Sequence, residues 1–182
     1  MQKSTLGRTG RDVGVVGQGC WQFGGDWGSV SDDAAMAVLH TAADAGVTFF
    51  DTADVYGDGH SEELVGRFPK ERGDGDLMVA TKLGRRANPH TPESFTRENL
   101  RAWNDRSRTL LGVDTIDPIQ LHCPPTPVYS DDSVYDALDE MVEEGRIRHY
   151  GVSVETVDEA LTAMARPGVA SVQIILNVFR RK

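Results

Sequence analysis

The order of apolar segments along the chain is the feature that most restricts its fold. Short, continuously apolar runs, typical of buried parallel strands, alternate with segments of helical periodicity. Such an alternation predicts a parallel sheet whose strands are joined by right-handed crossovers. The predicted strands are 47–50, 77–80, 116–121, 150–152 and 172–176, after an opening hairpin of 4–6 with 13–16.

The helical segments carry their own start signals. Thr156 and Glu159 form a capping box ahead of apolar residues spaced i, i+3, i+4 and i+7. The predicted helices are 31–45 with Ser31 as N-cap, 61–68 with Ser61 as N-cap, and segments around 100–111, 134–141 and 157–164.

Two architectures fit this order, a doubly wound open sheet and a (β/α)₈ barrel. Gly17 and Gly19 begin like a dinucleotide-binding fingerprint, but Gln22 stands at the third glycine position. Trp21 is also too bulky for a close approach of pyrophosphate. The doubly wound interpretation is therefore rejected.

Composition restricts the class of protein. The 182 residues are 39% hydrophobic and 26% charged, as expected for one soluble domain spanning 1–182. The net charge of −9 argues against a nucleic-acid partner, because phosphate binding needs a basic face. No apolar run is long enough to span a membrane.

The cysteines and the N-terminus indicate a compartment. Cys20 and Cys123 lie far apart without a pairing pattern, which favours free thiols in a reducing environment. Residues 1–7 contain no apolar signal core. We therefore expect a cytoplasmic protein.

Polar residues stand where the predicted strands end. Asp51, Lys82, His122 and Ser153 each follow an apolar run, and Tyr56 lies five residues beyond Asp51. In a parallel barrel these positions converge at the carboxyl-terminal face, where active sites lie. Each residue alone has an ordinary structural role, but an acid, a phenol, a lysine and an imidazole on successive strand ends indicate a site.

These side chains suit proton donation to a forming oxyanion. An ammonium about 4 Å from a phenol stabilises phenolate by up to ~4 kcal/mol, so Lys82 is expected to lower the pKa of Tyr56. Asp51 can hold Lys82 by a charge-assisted hydrogen bond, and His122 can orient a substrate oxygen. A metal site is not expected, because only Asp51 and His122 are plausible ligands. Protonating an alkoxide implies a hydride donor, which no side chain supplies, so a nicotinamide cofactor is required.

Five stretches closely resemble the aldo-keto reductases. They are Phe50–Gly57, Ser61–Glu63, Ala80–Lys82, Gln120–Pro124 and Arg146–Ser153. The resemblance implies an α/β fold of the (β/α)₈ barrel type, here incomplete, with about six strand–helix units after the hairpin. It further implies NADP(H) as cofactor and an aldehyde or ketone as the small-molecule substrate.

The resemblance also assigns roles to residues. It makes Tyr56 the general acid/base, with Lys82 and Asp51 tuning it and His122 orienting the carbonyl. The matching cofactor positions are Ser153 and Gln173 for the nicotinamide carboxamide, and Gly19, Cys20 and Trp21 for a loop that lines the cofactor.

The chain departs from the family pattern in three places. Val154 replaces a common asparagine and Cys20 a common threonine, and Cys123 replaces a common tryptophan, which is expected to open or reshape the substrate pocket. The family barrel also needs about 250 residues or more, so two strand–helix units and the loop for the cofactor's 2′-phosphate lie outside this sequence.

Two alternatives stay open at this stage. One is a catalytically silent, regulatory or truncated relative that binds nucleotide without turnover, and the other is a metal-dependent barrel hydrolase or isomerase. An incomplete barrel also leaves open sheet edges, which predict self-association.

Overall fold

Six parallel strands form one curled sheet in the computed structural model, which describes residues 1–25, 28–73 and 75–180. Their order in the sheet follows the chain, as expected for successive strand–helix units. The result is an incomplete barrel with β3 and β8 at its edges. The strands are β3 (Gln18–Gly19), β4 (Phe49–Asp51), β5 (Met78–Leu83), β6 (Ile119–His122), β7 (Tyr150–Val154) and β8 (Val169–Ile174).

Five α-helices connect the strands within the described ranges, and the side chain of the N-cap residue accepts a hydrogen bond from the first turn in four of them, including Asp131 from Ser133. The Ser31 hydroxyl accepts from the amide of Ala34, and Thr156 and Glu159 form the predicted capping box. Thr96 caps a third helix by accepting from Asn99. The helices are α1 (Asp32–Asp44), α2 (His60–Arg72), α3 (Arg97–Leu111), α4 (Asp132–Glu143) and α5 (Val157–Met164).

The predicted hairpin crosses the amino-terminal end of the sheet. Its strands β1 (Lys3–Thr5) and β2 (Asp12–Gly14) pair antiparallel. At one side the Arg8 amide donates to the carbonyl of Ala170 at 2.7 Å, and at the other the Gly14 amide donates to the Thr48 hydroxyl at 2.9 Å. The hairpin therefore joins the start of β8 to the start of β4.

The central strands β6 and β7 are buried on both faces, which explains their continuous apolar sequences. Every residue of β6 and β7 is buried. Within the described residues, one apolar cluster packs around β6, β7, α3 and α4, and another packs around β4, α1 and α2. The helices cover the outer face of the sheet, and the polar strand ends lie at its carboxyl-terminal edge. This edge is therefore the expected place for a site.

Two local predictions are wrong. The last strand spans Val169–Ile174 instead of 172–176, because pairing with β7 begins at Tyr150 opposite Val169. Helix α2 begins at His60 with Gly59 as N-cap, so Ser61 is not its cap. The buried Ser61 hydroxyl instead donates to the Cys20 carbonyl at 2.9 Å and lies 2.8 Å from the Thr52 hydroxyl.

The residues after β8 expose apolar side chains. Leu176 and Val178 are about three quarters exposed, and Phe179 is 96% exposed. No helix in the described part of the chain has both the length and the apolarity needed to cross a bilayer.

Candidate active site

The predicted strand-end residues meet at the carboxyl-terminal edge of the sheet. His122 pairs with Ser153 across β6 and β7, and Ser153 pairs with Gln173 across β7 and β8. These three side chains therefore occupy one level on neighbouring strands. They line a cavity of about 510 Å³ together with Tyr56 and Lys82.

Lys82 is buried beside a carboxylate and a phenol. Its Nζ donates to Asp51 Oδ2 at 2.7 Å and to the Thr52 carbonyl at 2.8 Å, and it lies 3.5 Å from the Tyr56 hydroxyl. The lysine is only 1% exposed, so the ion pair with Asp51 offsets much of the cost of burying its charge. The structure thus joins three of the predicted residues in one contact network.

Burial dominates the electrostatics of Tyr56. It raises the pKa of the phenol, and the Asp51 carboxylate raises that pKa further, while Arg85 acts in the opposite direction. The predicted lowering of this pKa by Lys82 is therefore wrong. The charge of Lys82 is balanced by Asp51 at 2.7 Å, which leaves desolvation as the largest effect. The phenol is protonated at neutral pH and can donate its proton.

His122 faces the ring of Tyr56 edge-on, with the ring centroids 5.8 Å apart. Burial lowers the pKa of His122 to about 3, and the charges of Lys82 and Arg85 add to this effect. The ring is therefore neutral at physiological pH, with one nitrogen as donor and the other as acceptor. Its buried Nδ1 has no hydrogen-bond partner among the described residues.

The three predicted cofactor-loop residues occupy different environments. The Trp21 ring stacks 6.1 Å from that of Tyr56 and lines the cavity. Cys20 is completely buried, and burial raises the pKa of its thiol. Its amide donates to the Asp51 carbonyl at 2.9 Å, while Gly19 pairs with Asp51 across β3 and β4. The structure places only Trp21 of the three in the cavity wall.

Several wall residues were not predicted from the sequence. Arg85 lies three residues beyond Lys82, in the loop after β5, and its position near a strand end was the available signal. Glu155 follows β7 in the same way. Cys123, which follows β6, also lines the cavity, as expected from its place at a pocket tryptophan of the family. These three residues also line an adjoining cavity of about 480 Å³. The remaining unpredicted wall residues are Val55, Val154, Ile174 and Ile175.

Metal-binding groups are sparse in the part of the chain that the structure describes. No cluster of three or more His, Cys, Asp or Glu side chains there has the geometry to hold a metal ion. The described polar groups of the cavity are instead suited to hydrogen bonding and proton transfer.

Comparison with known proteins identifies relatives over nearly the whole chain. The model of the aldo/keto reductase family matches residues 15–182. The NADP(+) aldo-keto reductase yakc of Schizosaccharomyces pombe is 36% identical over 173 residues, which are 92% of this chain and 50% of that protein. D-threo-aldose 1-dehydrogenase of a Pseudomonas species is 33% identical, over 86% of this chain and 54% of that enzyme.

Solved structures give the same result. An aldo-keto reductase from Klebsiella pneumoniae in complex with NADPH superposes with a TM-score of 0.78 at 25% identity, over 97% of this chain and 59% of that one. The chain thus spans about half the length of the curated relatives it matches. The matching family model and the relatives that align along nearly all of these 182 residues show that the chain belongs to the aldo/keto reductase family.

Proposed function

We propose that this chain carries the proton-donating part of the active site of an NADP(H)-dependent oxidoreductase, which reduces an aldehyde or ketone to an alcohol. Tyr56 is the proton donor in this proposal. The observation that carries it is the contact of the Tyr56 hydroxyl with Lys82 Nζ, which Asp51 anchors from the other side. A phenol kept protonated by burial is suited to protonate an alkoxide as it forms.

Lys82 and Asp51 act on the transition state in this proposal. As the phenol gives up its proton, negative charge develops on its oxygen beside the buried ammonium. Such preorganised charge is most effective in a site that excludes water. Lys82 is almost completely buried, which supports this role.

His122 orients the substrate. Its ring is neutral and lies against Tyr56, and its buried Nδ1 lacks a partner among the described residues. A carbonyl oxygen between the Tyr56 hydroxyl and the His122 ring would accept hydrogen bonds from both. Fixing the carbonyl in this way reduces the entropy lost on reaching the transition state.

The cavity fits the nicotinamide end of the cofactor. Ser153 and Gln173 are paired on adjacent strands and line the same cavity as Tyr56. A hydroxyl and an amide side by side match the donor and acceptor of a carboxamide. The cofactor, when bound, supplies a hydride, whereas Ser153 and Gln173 hold its amide and Trp21 forms the wall beside Tyr56.

The choice of NADP(H) and of substrate class draws on the relatives. The S. pombe relative is named for NADP(+), and the K. pneumoniae structure contains NADPH. The Pseudomonas relative is named as an aldose dehydrogenase, which supports a small carbonyl compound or its alcohol as substrate. We do not propose the catalytically silent alternative, because Asp51, Tyr56, Lys82 and His122 are all present and in contact or adjacent.

The test is an assay of NADPH oxidation with 4-nitrobenzaldehyde as substrate. The rate is measured from the decrease in NADPH absorbance. The assay is run on residues 1–182 alone and on the same residues within a complete eight-unit barrel. Replacing Tyr56→Phe should lower kcat in the complete barrel about 10²–10⁴-fold and leave NADPH binding nearly unchanged. A variant that keeps more than about a tenth of the parent kcat would show that another group is the proton donor.

A further inference from the structure

The backbone directly after Tyr56 is unusual. Gly57, Asp58 and Gly59 have φ angles of 60°, 50° and 97°, so three successive residues lie in the left-handed region. For a residue with a side chain, such as Asp58, this region costs roughly 1–2 kcal/mol. The turn that carries Tyr56 therefore needs support from the surrounding structure.

A guanidinium from α3 supplies that support. Arg106 Nη1 donates to the Asp54 carbonyl at 3.3 Å, and its Nη2 donates to the Asp58 carbonyl and, at 2.9 Å, to Asp58 Oδ1. Asp54 and Asp58 each lie two residues from Tyr56, on opposite sides. One planar group thus holds both ends of the turn, and Arg86 adds a bond to Asp58 Oδ1 at 3.2 Å.

Two features favour the position of Arg106, namely nearby carboxyl groups and the lack of a side chain at Gly59. Burial raises the pKa of the Asp54 carboxyl to about 7 and also raises that of Glu62, and the charge of Arg106 opposes both effects. A Cβ atom on Gly59 would lie 3.0 Å from both terminal nitrogens of Arg106. The absence of a side chain at Gly59 therefore allows the guanidinium to approach the turn.

The position of the turn matters because the contact at its centre is long. The Tyr56 hydroxyl lies 3.5 Å from Lys82 Nζ, at the outer limit of a hydrogen bond. On the opposite side the turn packs closely on the backbone of Gly24. A Cβ on Gly57 would lie only 2.8 Å from the Gly24 Cα, so there is no room for a side chain at Gly57. A shift of about 1 Å would therefore separate the phenol from the ammonium, and misplacements of that size can cost ~10²-fold in rate.

We propose that Arg106 is a positioning residue, which acts from outside the cavity by bridging the carbonyls of Asp54 and Asp58 and so holding the Tyr56 hydroxyl beside Lys82. Arg106 is not part of the cavity wall as described, so its effect on chemistry passes through the turn. This role rests on the proposed function of Tyr56 as proton donor.

The test compares two arginines of the same helix. Arg106→Lys keeps the positive charge but loses the fork that reaches both carbonyls. Arg108→Lys is the matched control, since the Arg108 side chain is 27% exposed against 30% for Arg106. Among the described residues, the Arg108 side chain bonds to Asp105 and to the Asp114 carbonyl, and to neither end of the Tyr56 turn.

The first readout is the NMR spectrum of the 182-residue chain with ring-labelled tyrosine. The chain has four tyrosines, and loss of one signal in Tyr56→Phe assigns Tyr56. We expect Arg106→Lys to shift the Tyr56 signal and leave the other three in place, and Arg108→Lys to leave all four in place. In a complete barrel, Arg106→Lys should lower kcat about tenfold while KM for the carbonyl changes less than twofold.

Three outcomes would overturn the proposal. They are an unmoved Tyr56 signal in folded Arg106→Lys, an equal shift in Arg108→Lys, and a kcat equal to that of the parent barrel. If the lysine variant does not fold, Arg106→Gln gives the same comparison, because a neutral amide reaches only one of the two carbonyls. The proposed function fails separately, through retention of activity in Tyr56→Phe, and that result leaves the NMR comparison intact.

Discussion

The amino group of Lys82 lies 2.7 Å from Asp51 Oδ2, and the lysine side chain is only 2% exposed. Removing one partner of a buried ion pair leaves the other charge without compensation, which typically costs about 3–5 kcal/mol. We therefore expect Asp51→Asn to lower the free energy of unfolding by several kcal/mol, measured by urea denaturation.

The exposed pair of Lys3 and Asp76, at 3.8 Å, provides the control. Its side chains are 48% and 89% exposed, so Asp76→Asn should change stability by less than about 1 kcal/mol. An equal decrease in the free energy of unfolding in the two variants would mean that the buried contact of Lys82 with Asp51 contributes no more to stability than an exposed ion pair.

The carboxyl of Asp54 should make stability depend on pH. Burial, together with the charge of Glu62, raises its pKa from 3.8 to about 7, against the opposing charges of Arg86 and Arg106. Between these values the folded chain keeps a proton that the unfolded chain releases. This contribution to stability is complete below pH 4 and is lost as pH rises towards 7.

Asp54→Asn removes that titration. Its stability relative to the parent chain should therefore be more favourable at pH 7.5 than at pH 4.5, by a few kcal/mol at most, since one pKa unit corresponds to about 1.4 kcal/mol. Denaturation curves at the two pH values measure the difference. A constant difference would show that Asp54 titrates normally in the folded chain.

Replacing His122 should have an effect that depends on the substrate. In a complete barrel, His122→Ala should lower kcat/KM more for ketones, whose two substituents need alignment, than for small aldehydes. Burial lowers the pKa of His122 to about 3, so His122 does not titrate near pH 6.5. The dependence of kcat/KM on pH around 6.5 should therefore be the same in the parent barrel and in His122→Ala. Equal losses across carbonyls of all sizes would count against an orienting role.

The open edge at β8 should cause the 182-residue chain to associate. Leu176 and Phe179 are 76% and 96% exposed just beyond this strand. Unpaired strand edges and exposed apolar surface favour pairing between chains. We expect light scattering to show a mass above that of the monomer, which Leu176→Lys lowers.

Leu161→Lys is the control for this prediction, because Leu161 is 61% exposed but lies on helix α5 and not in the segment that follows β8. It should leave the measured mass unchanged. A monomeric parent chain at micromolar concentration would contradict the prediction.

Much of the fold follows from local patterns in the sequence. The alternating strands and helices, the hairpin, the Ser31 cap and the capping box of Thr156 and Glu159 all depend on neighbouring residues, and all are confirmed. Motif positions at strand ends also predicted that Asp51, Tyr56 and Lys82 would meet, because parallel strands end at one edge.

What only the tertiary structure decided depends on contacts between distant segments. Ser61 has the residue type of a cap, yet packing against Cys20 and Thr52 places it inside the helix. The pKa of Tyr56 is raised by burial and by the Asp51 carboxylate, and burial is a property of the assembled core. The bridge from Arg106 to Asp58 joins residues 48 positions apart, and no local spacing predicts it. Local patterns report hydrogen bonds and periodicity within a segment, whereas desolvation and long-range contacts exist only after the segments pack together.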